Sequence, residues 1–362
     1  MQLPTRGQLV AAGAVVAMTV GVAACSSGTP ASGSGSGSGS SGSSSASGTI
    51  NAAGSTFQLN FQQAAISQFK SISPNVTVNY SGVGSGTGRS DLYKNTVLFA
   101  GSDSPIPAKE KGEVPPGKTV LYFPVQIGPI AIAYNLPGVK NLKLDAPTLA
   151  KIFQGQVKTW NDPAIKALNP GASLPGTAIT LATRSDSSGT TQNFSEYLAK
   201  AAGSAWSLGS SSTISWPSTA RAGNGGSGVA QIVKSTAGAI GYVDFSTATA
   251  SGLTAATIKN ADGAYVAPST AGATAAASHV TPKSDLTFTT VDQPGATSYP
   301  ITYQSWDLVY AKQPSANDAA LLKAYLGYLL GQGQSLLSSL NLAQLPPNLD
   351  NAAKAQLSKI TS

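Results

Sequence analysis

The sequence of 362 residues is poor in reactive and metal-binding side chains, with one cysteine and one histidine. A single cysteine excludes a disulfide within the chain. These two residues are also too few for a zinc-type site, which takes about four such ligands. No serine has glycine both two residues before and two residues after it, so the nucleophile elbow of α/β-hydrolases is missing. We therefore expect neither an enzyme nor a bound metal or other cofactor.

Charged side chains are also few, at 10% of the residues, and the formal net charge is +7. A nucleic-acid-binding surface normally concentrates lysine and arginine on one face or helix, often with aromatic residues between them. No window of the chain has that pattern, so we expect no nucleic-acid partner. The positive excess still favours the approach of small anions.

The first 24 residues have the pattern of an export signal. Arg6 precedes an apolar run over 9–22 that is too short for a membrane-spanning helix, which needs about 20 apolar residues. Small residues then lead to Cys25, and V-A-A-C resembles the lipobox at which bacterial lipoproteins are cleaved and acylated. We expect a signal peptide over 1–24 and a palmitate-type lipid anchor at Cys25, on the extracytoplasmic face of the cell membrane.

A low-complexity segment follows, because residues 26–48 are almost entirely serine and glycine. Such a composition cannot bury enough apolar surface to fold, so 25–48 is predicted to be the acylated cysteine with a flexible tether. The remaining body, 49–362, exceeds the size that one hydrophobic core usually supports, which predicts two lobes.

Apolar runs alternate with helix-like stretches along the body, in the order typical of an α/β fold. Apolar residues recur every four positions over 57–69 and predict a helix that begins at Ser55 or Thr56 and ends near Pro74. Strands are predicted over 76–80, 97–100, 121–123, 130–134, 179–182 and 239–245. Further helices are predicted over 91–95, 145–154, 191–201, 229–234, 317–330 and 351–360. The segment 251–282 has too weak a periodicity for a prediction.

Three turns rich in glycine, serine and threonine, at 53–57, 82–88 and 184–190, each lie between an apolar run and a helix-like stretch. Helix N-termini leave backbone N–H groups unpaired and carry the positive end of the helix dipole, so such turns suit a phosphate-sized anion. The glycines of the second turn alternate strictly, which matches neither G-x-G-x-x-G nor the P-loop of nucleotide sites. Together the turns predict one shared oxyanion ligand.

The third turn, R-S-D-S-S-G-T, has the most specific chemistry. Arg184 supplies a fixed cation whose paired donors match an oxyanion. Ser188 and Thr190 supply hydroxyls, and Gly189 exposes its amide. Asp186 is expected to hold Arg184 in place rather than to contact the ligand.

Asp103 is the residue most informative about the ligand. A carboxylate in an anion site is repulsive unless the anion carries a proton that it can donate. Phosphate carries one at neutral pH and sulfate does not, so with sulfate two buried acceptors would face each other. Asp103 therefore predicts selection of phosphate over sulfate.

Over residues 50–362 the sequence resembles a known family, the substrate-binding lipoprotein of the high-affinity bacterial phosphate ABC transporter. The motifs that carry the resemblance are A-G-S-T-F, N-Y-S-G-V-G-S-G, N-T-V-L-F-A-G-S-D-S-P, F-Q-G-Q-V-K-T-W-N-D-P-A-I, R-S-D-S-S-G-T, G-A-I-G-Y-V-D-F and Y-P-I-T.

This resemblance implies an α/β fold of two lobes, the periplasmic-binding-protein-like fold (type II), with the ligand in the cleft between the lobes. The chain would cross between lobes near Pro124 and near Pro300. Lobe I would comprise 49–124 and 300–362, and lobe II would comprise 125–299.

The resemblance also implies the phosphate ligands. They are Thr56, the amide of Phe57, Ser85 and Asp103 in the first lobe, and Arg184, Ser188, Gly189 and Thr190 in the second. Ser55 departs from the family pattern and could add a donor. Ser187 stands where the family usually has glycine and could restrict the turn or add a hydroxyl. Arg89 could reach the cleft, neutralise a nearby acid or face solvent.

We therefore expect a monomeric receptor that binds inorganic phosphate, makes or breaks no bond, and delivers the anion to the permease of an ABC transporter for import. A receptor for sulfate or molybdate is an alternative that Asp103 disfavours. A phosphate-ester hydrolase is a second alternative, for which a metal cluster and a second histidine are missing. A structural or adhesive surface lipoprotein is a third.

Overall fold

A mixed β-sheet of nine strands runs through the computed structural model, which describes residues 46–362. The predicted export signal, Cys25 and the tether up to residue 45 lie outside this range. The strands are β1 (Gly48–Gly54), β2 (Val76–Gly82), β3 (Phe99–Ser102), β4 (Val120–Tyr134), β5 (Lys143–Leu144), β6 (Thr180–Arg184), β7 (Arg221–Gly223), β8 (Ala239–Asp244), β9 (Thr254–Ala255), β10 (Thr257–Lys259), β11 (Tyr265–Val266) and β12 (Thr302–Tyr310).

Helices cover the sheet and connect its strands. They are α1 (Leu59–Ile72), α2 (Ser85–Tyr93), α3 (Ala146–Phe153), α4 (Pro163–Leu168), α5 (Gly189–Ala201), α6 (Gly225–Ser235), α7 (Phe245–Ala250), α8 (Thr270–Ala277), α9 (Ala316–Leu330) and α10 (Pro347–Gln356). Within residues 46–362, none of the helices has the length and apolar character needed to cross a membrane.

The sheet consists of two mainly parallel halves joined through antiparallel strands. Its order is β2-β1-β3-β12-β4-β8-β6-β7, and β9 pairs with the end of β4. In one half β1 pairs in parallel with β2 and β3, and in the other β6 pairs in parallel with β7 and β8. The central strands β4 and β12 are antiparallel to each other. Ligand sites in such α/β halves lie beyond the carboxyl ends of the parallel strands.

Strand β4 is 15 residues long and belongs to both halves. Up to Pro129 it pairs with β12, and from Ile130 onwards it pairs with β8. The prediction of two separate strands over 121–123 and 130–134 is therefore wrong. Pro124 is accommodated within the strand because the register with β12 shifts at that point, where a missing N–H is tolerated.

The lobe ranges, 49–124 with 300–362 and 125–299, stay a prediction. The change of partner along β4, after Pro129, lies a short way beyond the predicted crossing near Pro124.

Helix α1 buries an apolar stripe at the predicted four-residue spacing. It begins at Leu59, however, and the predicted caps Ser55 and Thr56 lie outside it. Ser55 Oγ accepts the N–H of Phe57 at 3.0 Å, so the serine stabilises the turn that precedes the helix.

Three helices begin at glycine-containing segments, two to six residues before their predicted starts. They begin at Ser85, Gly189 and Gly225. Glycine has a low helix propensity, which hides these first turns from a periodicity argument. The second of the three helices is capped by Ser188, whose Oγ accepts the N–H of Thr191 at 3.2 Å. The turns at 82–88 and 184–190 are therefore themselves helix N-termini, with the donors that this implies, whereas the turn at 53–57 precedes α1.

Other elements agree with the sequence in part. Helix α3 is confirmed with its cap, because Asp145 Oδ1 accepts the N–H of Thr148 at 2.9 Å. Strand β1 begins at Gly48, so the predicted tether extends slightly too far. The unassigned segment 251–282 contains β9, β10, β11 and α8, and β10 joins β5 and β11 in a small separate sheet.

Strand β12 has no counterpart among the predicted strands. All nine of its residues are buried, and among them are the polar side chains of Gln304, Ser305 and Asp307. These polar residues interrupt the apolar pattern that identifies a central strand. They lie next to the candidate site, which explains why polar groups occupy the middle of the sheet.

Candidate anion-binding cleft

The carboxyl ends of β1, β2 and β3 lie side by side and form one wall of a cleft. Gly54 is in register with Gly82 on one side and with Gly101 on the other. Gly54 has a φ of +146°, and a side chain there would overlap the backbone of Gly101. This close approach requires glycine, and it brings the loop after each strand to the same edge of the sheet.

Asp103 follows β3 at this edge and is 1% exposed. Its Oδ1 accepts a hydrogen bond from Ser305 Oγ at 2.5 Å, and its Oδ2 accepts one from Ser85 Oγ at 3.3 Å. Its backbone N–H donates to Ser85 Oγ at 3.2 Å. Burial raises the pKa of Asp103 to about 6, although hydrogen bonds from three serines and the charge of Arg184 act in the opposite direction. The carboxyl group therefore titrates close to neutral pH.

Arg184 ends β6 on the opposite wall and is held by Asp186. Its Nε donates to Asp186 Oδ1 at 2.7 Å, and its Nη2 pairs with Oδ2. Burial alone would raise the pKa of Asp186, but the hydrogen bond and the charge of Arg184 hold it below its ordinary value. The backbone N–H of Gly225 also donates to Asp186 Oδ1, at 3.1 Å. The guanidinium thus has a fixed orientation, and its Nη1 lies 3.4 Å from Thr190 Oγ1.

The N-terminus of α5 meets Asp103 across the cleft. A Cβ atom at Gly189 would lie 2.5 Å from Asp103 Oδ2 and 2.6 Å from Ser85 Oγ, so only glycine fits there. Ser188, which caps the helix, is fully buried. Residues from both halves of the sheet therefore meet at one buried contact in the cleft.

Hydrogen bonds join the two walls of the cleft directly. The N–H of Gly86 donates to the carbonyl of Ser187 at 3.0 Å, and Asn193 Nδ2 donates to the carbonyl of Asp103 at 2.7 Å. The Ser187 hydroxyl donates to Ser212 Oγ at 3.0 Å. The structure is therefore a closed form, in which the two walls are in contact.

The structure brings six of the predicted ligands into mutual proximity. They are Ser85, Asp103, Arg184, Ser188, Gly189 and Thr190. Thr56 is half-buried and its side chain makes no hydrogen bond within residues 46–362, but it lies beside Gly225, next to the Arg184–Asp186 pair. The N–H of Phe57 is engaged by Ser55 rather than free.

Arg89 does not reach the cleft and does not face solvent, since it is fully buried. Its Nε and Nη2 form a paired contact with Glu110, at 2.7 and 2.9 Å. Its Nη1 donates to Ser102 Oγ at 3.0 Å and to Ser104 Oγ at 3.3 Å. Arg89 thus neutralises a nearby acid, the second of the three alternatives, and braces the residues on both sides of Asp103.

A buried network of polar side chains lies behind Asp103 and was not predicted from the sequence. Gln58 Nε2 donates to Ser305 Oγ at 2.8 Å, and Gln62 Nε2 donates to Gln58 Oε1 at 3.0 Å. Gln62 Nε2 also lies 3.3 Å from Asp307 Oδ2. Burial raises the pKa of Asp307 to about 8, and the two glutamines lower it only in part. No motif or spacing marks these residues, because they lie at the start of α1 and in β12, far apart in the chain.

The described residues contain no metal-binding cluster, that is, no group of three or more histidine, cysteine, aspartate or glutamate side chains that could hold a metal ion. The polar groups of the cleft are instead hydroxyls, backbone amides, one guanidinium and one carboxyl group.

Two α/β halves that close over a polar cleft define the class of this protein. It is a two-lobe binding protein, with the periplasmic-binding-protein-like fold (type II) and its ligand cleft between the lobes. The cleft is lined by donors that suit an anion.

Comparison with known proteins then identifies the family. A family model described as a PBP superfamily domain matches residues 39–332. The phosphate-binding protein PstS 3 of Mycobacterium leprae is 38% identical over 322 residues, which are 85% of this chain and 86% of that protein. The phosphate-binding protein PstS of Pasteurella multocida is 34% identical over 316 residues, 85% of this chain and 89% of that protein. The chain belongs to this family of PstS phosphate-binding proteins, within the PBP superfamily.

A solved structure supports the fold assignment. It is that of a high-affinity periplasmic phosphate-binding protein, PfluDING, with phosphate bound, and it superposes with a TM-score of 0.71 over 85% of this chain and 93% of that chain. The sequence identity is 22%, so this likeness concerns the fold.

Proposed function

We propose that the protein binds inorganic phosphate in the cleft and presents it to the permease of an ABC transporter for import. The names of its relatives support the ligand class. The observation that carries the proposal is the pairing of a fixed guanidinium, Arg184, with a buried carboxyl group, Asp103, on opposite walls of one closed cleft.

The positions of the hydrogen-bond donors indicate which residues contact the phosphate. The N-terminus of α2 supplies Ser85, that of α5 supplies Gly189 and Thr190, and Arg184 supplies the cation. The proposed ligands are Thr56, Phe57, Ser85, Asp103, Arg184, Ser188, Gly189 and Thr190. Asp186 and Ser55 act behind them, since Asp186 fixes Arg184 and Ser55 contacts the loop of Phe57.

Asp103 supplies the selectivity. An ionised carboxylate accepts the proton that phosphate still carries at neutral pH, whereas sulfate has none to donate. The donors in the cleft would accept either anion, so the discrimination depends on this one acceptor.

We further infer that the protein catalyses no reaction, acts as a monomer and works outside the cytoplasm. The V-A-A-C sequence supports cleavage after residue 24 and acylation of Cys25, which would anchor the chain to the cell membrane. The lobe ranges proposed from the family resemblance, 49–124 with 300–362 and 125–299, complete this assignment.

Titration calorimetry of the purified full-length protein with phosphate and with sulfate tests the proposal. The parent should bind phosphate at least 100-fold more tightly than sulfate, a ratio that corresponds to about 2.7 kcal/mol. In Asp103→Asn the ratio should fall by about tenfold or more, because the amide can donate to sulfate. Phosphate binding that is no tighter than sulfate binding in the parent would refute the proposed function. An unchanged ratio in Asp103→Asn would refute the role of Asp103.

A further inference from the structure

The hydroxyl of Tyr303 is buried without a partner. The residue is fully buried in β12, and its Oη makes no hydrogen bond within residues 46–362. A buried hydroxyl without a hydrogen bond destabilises the fold, so a native protein seldom leaves one unpaired without a reason. Strand β12 lies beside β4, the strand shared by both halves of the sheet, which places Tyr303 near the junction of the cleft walls.

The position of the ring is fixed by its neighbours. Tyr303 stacks on Phe57, with ring centroids 4.0 Å apart and an interplanar angle of 25°. It is in register with Gly128 on β4, where a Cβ atom would already lie 3.0 Å from the ring of Phe57. The tyrosine ring is therefore packed against Phe57 in the turn at 53–57, and it cannot rotate away without disturbing that packing.

The surroundings of the hydroxyl are those of the cleft. Asp244 and Asp103 act on it through their charges, as does Arg184, and the hydroxyl of Thr190 lies nearby but makes no hydrogen bond with it. Burial is the largest effect and raises the pKa of Tyr303 well above its ordinary value. The hydroxyl therefore keeps its proton at physiological pH and is available as a donor.

The carboxylates near this donor accept hydrogen bonds from other groups, and neither accepts one from Tyr303 Oη. Asp103 Oδ1 accepts from Ser305 and its Oδ2 from Ser85. Asp244 Oδ1 accepts from Ser246 Oγ at 2.7 Å and from the N–H of Thr247 at 2.8 Å. A donor without an acceptor, beside a fixed guanidinium, is what an anion site requires.

We propose that Tyr303, in strand β12 at the junction of the two lobes, is a further phosphate ligand. Its hydroxyl donates a hydrogen bond to a phosphate oxygen. This inference rests on the proposed function and adds a donor that neither the glycine turns nor the family motifs contain. It also gives the anion a contact with the junction between the lobes in addition to those with the two walls.

The test compares Tyr303→Phe with Tyr197→Phe in the full-length protein. Tyr197 is the matched control, because its hydroxyl is also fully buried and unpaired in the described chain but interacts with Asp145, Asp292 and Tyr299 rather than with the cleft. Phosphate affinity measured by calorimetry should fall about 10- to 100-fold in Tyr303→Phe, as expected for a hydrogen bond to a charged group. It should stay within twofold of the parent in Tyr197→Phe.

A phosphate affinity of Tyr303→Phe within twofold of the parent would overturn the assignment, as would an equal loss in both variants. A parent that binds no phosphate would refute the proposed function itself, which is a distinguishable result. A second measurement retains the hydroxyl and so does not depend on the variant folding. With 3-fluorotyrosine incorporated at position 303, phosphate should shift the ¹⁹F resonance, whereas the same probe at position 197 should not respond. An unshifted resonance at position 303 would also overturn the assignment.

Discussion

Replacement of Asp307 by asparagine tests the buried network behind the cleft. The carboxyl group of Asp307 is fully buried, and its hydrogen-bonding neighbours are the amides of Gln62 and Gln58 rather than a cation. Burial without a counter-charge raises the pKa of Asp307 from its ordinary 3.8 to about 8 in the folded protein. Asparagine has the shape of the protonated acid and cannot ionise, so it should fit the same hydrogen bonds.

The expected size of the effect follows from linkage. A folded-state pKa above the unfolded value gives a contribution to stability that is complete below about pH 4 and is lost as the pH rises through about 8. Each pH unit between these values lowers the free energy of unfolding of the parent by about 1.4 kcal/mol, which makes about 2 to 3 kcal/mol between pH 5 and pH 7. Asp307→Asn has no such term, so its stability relative to the parent should rise by that amount over the same interval.

Urea unfolding followed by tryptophan fluorescence, in phosphate-free buffer at pH 5, 6, 7 and 8, measures this difference. Asp103→Asn is the internal comparison. Because the pKa of Asp103 is raised only to about 6, its relative gain between pH 5 and pH 7 should be about half as large and should stop growing above pH 7. A difference between Asp307→Asn and the parent that is the same at pH 5 and pH 7 would show that Asp307 is ionised in the folded protein, and would refute the reasoning.

Two further predictions concern the closeness of the walls and the brace behind Asp103. Gly189→Ala should lower phosphate affinity about 10- to 100-fold by calorimetry, because its methyl group would displace Asp103 or Ser85. Gly112→Ala is the control and should leave affinity unchanged, since no atom lies within 4 Å of a Cβ at that position. Equal affinities in the two variants would contradict the described packing. Glu110→Gln should lower the free energy of unfolding by about 3 kcal/mol, because it leaves the buried Arg89 without its counter-ion. Asp350→Asn, which removes an exposed pair with Lys354, should change it by no more than about 0.5 kcal/mol, and a similar loss in both variants would show that burial of the Arg89 pair is unimportant.

The parts of the fold that sequence reasoning predicted are those with a regular apolar period. Helix α1 and strand β2 follow from spacing alone, and helix α3 also has a capping residue. The predictions failed for strands in which polar residues or proline interrupt the apolar pattern. Strand β12 carries Gln304, Ser305 and Asp307 in the centre of the sheet, and β4 runs through Pro124 because the register of its partner shifts there.

The residues of the candidate site likewise fall into those that the sequence predicts and those that it does not. Ser85, Asp103 and Arg184 lie in short motifs next to strand ends, where sequence alone can mark them. Ser305 and Asn193 act on Asp103 from strand β12 and helix α5, and only the folded chain brings them there. Such contacts leave no local pattern, since each residue is an ordinary member of its own element.

The main-chain hydrogen bond from Gly86 to Ser187 has a consequence for how this family can vary. A side chain at position 86 would overlap the side chain of Ser187, but it would lie 3.4 Å from the carbonyl oxygen of residue 187, an ordinary contact. The two positions therefore cannot both carry side chains while the closed form is kept. Among relatives, glycine is expected at one position or the other, so the pair should covary although neither side chain makes the bond.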